Sequence, residues 1–110
     1  MSLEHALPGQ PIDVRPFAHG LPAARTTALF KSRDIEVMRL VLLAGKSMPP
    51  HKVAGEVAIQ CLEGALDIAV EGRSQVLRAG HLLYLAGDAP HAITAIEDAS
   101  ALVTIALKKP

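Results

Sequence analysis

Two of the five histidines in this 110-residue chain stand where a loop rich in glycine or proline runs into strand-forming residues. His51 lies in the stretch from Gly45 to Gly64, GKSMPPHKVAGEVAIQCLEG, and His91 closes the stretch GHLLYLAGDAPH that starts at Gly80. A neutral imidazole has one donating and one accepting nitrogen, so two rings that meet can orient a polar ligand or contribute two ligands to a metal ion. With Glu56 they would form a two-histidine, one-carboxylate facial triad, leaving positions open for substrate. Considered singly, each ring reads first as a buried histidine hydrogen-bonded to backbone. Their joint value depends on elements that bring distant positions together.

Those elements are strands. β-rich runs recur at short intervals over 25–31, 35–43, 57–62, 66–70, 74–78, 82–85, 92–96 and 101–107, and several short strands separated by turn signals indicate a sandwich or barrel. Arg33-Asp34, Glu63-Gly64, Glu71-Gly72, Ala79-Gly80 and Gly87-Asp88 supply chain reversals. Only 23–30 could compete as a helix. Residues 1–24 are broken by Pro8, Pro11, Pro16 and Pro22, which withhold ladder hydrogen bonds. An extended N-terminal arm is expected there, with a short edge strand near 12–17, and a β-barrel domain over 25–110.

Alternation assigns faces. Val57, Ile59 and Cys61 share the inward side, so Glu56, Ala58 and Gln60 point outward; a β-bulge at Gly55 is the device that would turn Glu56 into the barrel. In the last run both faces are apolar, Val103, Ile105 and Leu107 against Leu102, Thr104 and Ala106. A strand apolar on both sides is covered on both sides, which leads to the expectation of a homodimer.

The positions of Gly45, His51, Gly64, Gly80 and His91 resemble the two motifs of the cupin superfamily, and the resemblance runs from about residue 35 to residue 107. It implies an all-β fold, the double-stranded β-helix or cupin jelly-roll barrel. Departures from the family pattern concentrate at the ligand positions. Val53 stands in place of the second histidine, and Val57 in place of the glutamate. Ala86, Asp88 and Ala95 replace a proline, a glycine and an asparagine, while His81 sits where many cupins carry an aspartate. Valine offers no lone pair to a metal, so His51 and His91 are the usual ligands that remain.

Three function classes follow. The leading expectation is a small-molecule-binding cupin of unassigned activity, its largely apolar cavity lined by Val53, Val57, Ile59, Cys61 and Ile93, with His51 and His91 at the mouth. The alternative, implied by the resemblance, is a metal-dependent dioxygenase-like or isomerase-like enzyme using His51, His91 and Glu56. Any cofactor would then be a divalent ion: iron, manganese, nickel or zinc. The third is an accessory or sensing subunit. No catalytic residue is assigned. Cys61 and Tyr84 read first as packing, and His5, His19 and His81 as solvated.

Composition narrows the partners. Eleven basic and eleven acidic residues balance to a net charge of zero, which removes the positive field that nucleic acids and anionic membranes require. The single cysteine cannot form an internal disulfide, and the first residues lack the charge and apolar run of a signal peptide. A cytoplasmic protein is expected. No apolar run approaches the ~20 residues of a membrane-spanning helix.

Overall fold

A computed structural model describes residues 5–108; the first four residues of the expected arm and the last two of the expected barrel domain lie outside them. A 3-10 helix, Ala18–Ala23, precedes nine strands: β1 (Thr27–Lys31), β2 (Ile35–Leu42), β3 (Ser47–His51), β4 (Val57–Glu63), β5 (Ala65–Val70), β6 (Arg73–Arg78), β7 (Leu82–Leu85), β8 (His91–Ala95) and β9 (Ala99–Ala106). They form a five-stranded sheet ordered β1-β2-β9-β4-β7 and a four-stranded sheet ordered β3-β8-β5-β6, with every pair antiparallel. The expected all-β jelly roll is borne out. Among the described residues no helix is long and apolar enough to cross a membrane.

The core lies between the sheets, where alternation sends one row from each strand. Ile59, Cys61, Leu66 and Ile68 are fully buried, joined by Leu40, Leu77, Leu85 and Ile93. Full burial of such side chains stabilises the fold by about 1.5–3 kcal/mol each, which is what holds two small sheets face to face. Leu82 and Tyr84 on β7 point the other way and remain exposed.

Two local expectations need correction. No strand forms over 12–17, because the backbone groups there bond to side chains instead of a ladder. The Phe17 and Ala18 amides donate to the two Glu63 carboxylate oxygens at 2.9 and 3.0 Å, and Arg39 donates to the Arg15 carbonyl at 2.9 Å. Arg39, only 3 % exposed, also stacks on the Phe17 ring at 4.1 Å and reaches Ser100 Oγ at 3.0 Å and Glu63 at 3.4 Å. The arm is thus fastened over a buried ion pair on the outer face of the five-stranded sheet. Conversely, Ser47–His51 forms a strand despite Pro49 and Pro50. Among the described residues it is an edge strand, pairing only with β8, and an edge tolerates missing donors.

Gly55 is not a bulge. A Cβ built there would lie 1.7 Å from the Ala106 carbonyl oxygen, so its role is to let the end of β9 approach. The Ala106 amide accordingly donates to the Glu56 carbonyl at 2.9 Å. With no extra residue inserted there, β4 alternates plainly from Val57 to Cys61, and its register against β9 shifts only between Cys61 and Glu63.

Candidate functional site

β3 and β8 carry the two histidines to one point. Register pairs Met48 with Ile93 and His51 with His91. Three steps along β3 therefore match two along β8, and one residue of the Pro49-Pro50 segment is extra. Met48 and His51 are an odd number of residues apart, so unbroken alternation would put them on opposite faces. The irregularity restores phase, and both side chains line one cavity. Bulges at barrel rims re-aim side chains in this way.

The imidazole centroids are 4.4 Å apart and the rings are tilted by 54°. His91 is buried while His51 is exposed, so the pair runs from solvent inward. Each ring is anchored alike. His51 Nδ1 meets the Pro49 carbonyl at 3.2 Å, and His91 Nδ1 meets the Ala89 carbonyl at 3.1 Å. A carbonyl oxygen can only accept, so each Nδ1 carries the hydrogen, and each neutral ring keeps the Nε2 lone pair for a ligand. Hydrogen bonding to backbone and a ligand-facing role, alternatives for each ring alone, are here combined.

Behind the rings lies a cavity of about 80 Å³. Ile59 and Ile93 line it, as expected from the sequence. Val57 and Cys61 are buried in the core and Val53 packs against it, but none of these three borders the cavity. Met38, Leu40, Met48, Val103 and Ile105 do. The signal for Met38 and Leu40 was available: once Arg39 is assigned outward, its two neighbours must point in. For Met48 there was none, because the irregular register of a proline-containing strand is not visible in the sequence.

Glu56 is not brought to the pair. It is exposed, next to the Tyr84 hydroxyl, whose pKa it raises by accepting its hydrogen bond. Cys61 Sγ donates to the Glu63 and Gly64 carbonyls at 3.4 and 3.7 Å, and burial pushes its thiol pKa up. His81 is exposed, its Nδ1 accepting from the Arg78 amide at 3.0 Å in a turn. Among the described residues no three histidine, cysteine or acidic side chains cluster as metal ligands. The donor set at the site is two imidazoles and no carboxylate, which does not fit a divalent ion held by three or four protein ligands.

The chain matches a cupin-domain family model over residues 38–107. No curated protein matches it. Among solved structures it is similar to a cupin superfamily protein from Desulfitobacterium hafniense, with 18% identity, 98% of this chain and 100% of that chain covered, and a TM-score of 0.77. A protein of unknown function from Streptococcus pyogenes gives 19% identity, 77% and 75% coverage and a TM-score of 0.72. KdgF from a Halomonas species gives 17% identity, 76% and 78% coverage and a TM-score of 0.69. At these identities the structural likeness speaks for the fold alone, while the family match spans most of the chain. The chain belongs to the cupin family.

Proposed function

We propose that this cupin binds a small molecule through the paired imidazoles. The observation that carries the reading is the shared anchoring of His51 and His91 through Nδ1, on two residues that line one apolar cavity; the ring nitrogens available to a ligand are then the two Nε2 acceptors. Two acceptors select a ligand bearing a hydrogen-bond donor, such as a hydroxyl or amine. About 80 Å³ admits only a few heavy atoms, so a compact donor group enters past His51 to His91 and the rest of the molecule stays outside. A metal-dependent dioxygenase-like or isomerase-like reaction is the weaker reading, because Glu56 faces Tyr84 rather than the pair.

A ligand that binds the folded state raises the thermal midpoint by mass action. A thermal-shift screen of small alcohols and amines is expected to yield hits whose shift disappears in both His51→Ala and His91→Ala. Hits that persist in both variants would place the binding elsewhere and contradict the reading.

The same proposal includes a homodimer through the outer face of the five-stranded sheet. Its support is the exposure of Leu82 at 69 % and Tyr84 at 65 %, side by side on an edge strand. Sedimentation equilibrium is expected to give twice the chain mass, and Leu82→Lys to give one chain mass; a monomeric parent would contradict it.

A further inference from the structure

A second cavity, of about 580 Å³, lies between the arm and the outer face of the five-stranded sheet. Its charged neighbours are Asp13, Arg15 and Arg39, and Pro16, Phe17 and Leu29 give it apolar walls. We infer that this cavity binds a small organic carboxylate, one oxygen of which accepts the hydrogen that Arg39 Nε leaves unused while its apolar body lies against Pro16, Phe17 and Leu29.

The donors of Arg39 carry the inference. A guanidinium has five N–H groups in one plane. Two of them belong to Nη2, which faces three oxygens: the Arg15 carbonyl at 2.9 Å, Ser100 Oγ at 3.0 Å and Glu63 Oε2 at 3.4 Å. Nε, although buried, meets no acceptor among the described residues. Such a donor forgoes the hydrogen bond that would offset its desolvation. The Phe17 ring already covers the guanidinium face at 4.1 Å, so the open position is in the plane, at the Nε edge.

Charge fixes the sign of the ligand. Glu63 pairs with Arg39 but does not border the cavity, so the cation is neutralised from one side only. Asp13 does border it, but its carboxylate is tied to Arg15 at 2.7 Å. One uncommitted cation suits a single negative charge, whereas a doubly charged phosphate brings a second charge with no partner. Access comes from the arm. Over 13–17 it forms one wall without ladder hydrogen bonds, and its outward movement exposes the guanidinium edge. The paired histidines border the other cavity and not this one, so the two ligand sites are independent.

The test observes Arg39 directly. The Nε–H resonance of Arg39 is followed by NMR in the ¹⁵N-labelled full chain at neutral pH and constant ionic strength, as benzoate, acetate, inorganic phosphate or benzyl alcohol is added. Benzoate is expected to shift it saturably and to bind at least about tenfold more tightly than acetate, because only benzoate has an apolar body to bury. Phosphate and benzyl alcohol should leave it in place. Calorimetry should show benzoate affinity reduced at least about tenfold in Arg39→Lys, which keeps the charge but loses Nε and the planar fork, and unchanged in His51→Ala and His91→Ala. Far-UV CD identifies folded variants, and the resonance measurement on the parent needs none. No shift with benzoate, equal affinity for acetate, or an equal response to phosphate or benzyl alcohol would overturn the inference. Loss of benzoate binding in the histidine variants would overturn it as well, by moving the ligand to the other cavity.

Discussion

His51 on β3 and His91 on β8 face each other at 4.4 Å although their strands do not run in step. The extra residue at Pro49-Pro50 offsets the odd spacing between Met48 and His51, so a core-facing residue and a mouth-facing histidine share one side of an edge strand. Each ring then spends its Nδ1 hydrogen on a carbonyl two residues upstream. Chemistry is left to Nε2 on both.

Deleting Pro50 removes the extra residue and returns β3 to plain alternation. Met48 and His51 then stand two positions apart, in step with Ile93 and His91, so both should stay on the cavity side. The expected result is a near-parent far-UV CD spectrum and a retained NOE between the His51 and His91 ring protons. Loss of that NOE would contradict the parity account of how β3 aims His51.

The two histidines should differ in stability cost. His91 is buried and hydrogen-bonded, and His91→Ala is expected to cost about 1–3 kcal/mol through the lost bond and packing. His51 is exposed, and His51→Ala should stay within about 0.5 kcal/mol. Urea unfolding of both variants checks the contrast.

At Gly55 an added methyl group meets backbone rather than a movable side chain. Gly55→Ala should destabilise by about 3 kcal/mol through overpacking, while Gly20→Ala, with nothing within 4 Å of the new Cβ, should change stability by no more than about 0.5 kcal/mol. Paired thermal melts measure this.

Glu63 links stability to pH. Burial works to raise its pKa, but hydrogen bonds from Ser100, Phe17 and Ala18, together with the Arg39 charge, outweigh it and hold the carboxyl below its ordinary value. A lowered folded pKa contributes stability that is present above the unfolded value and drains away as pH falls through the folded one. Urea midpoints should therefore drop more steeply in the parent than in Glu63→Gln between about pH 6 and pH 2. At neutral pH Glu63→Ala should cost about 3 kcal/mol, since it leaves the Arg39 charge buried without its partner.

Much of this architecture was legible in the residues. Leu82–Leu85 was delimited to the residue, and most other strands to within one or two, because alternation and turn residues act locally. The outward orientation of Glu56 followed from β4 parity alone. What escaped depended on partners distant in sequence. Gly55 read as a bulge candidate because the approaching Ala106 carbonyl is far along the chain. Ser47–His51 read as a loop because its prolines are tolerable only on an edge, and edge status is a property of the assembled sheet. The same blindness hid Met48 from the cavity and shifted Val53, Val57 and Cys61 into its lining.

The account rests on both imidazoles presenting a bare Nε2 to one cavity. Histidine labelled with ¹⁵N, observed through two-bond ¹⁵N–¹H correlations at a pH where both rings are neutral, reports the tautomer of each directly. Protonated Nδ1 with unprotonated Nε2 is expected for both His51 and His91. A protonated Nε2 on either neutral ring would contradict the account, because that ring would then offer the cavity a donor in place of a lone pair.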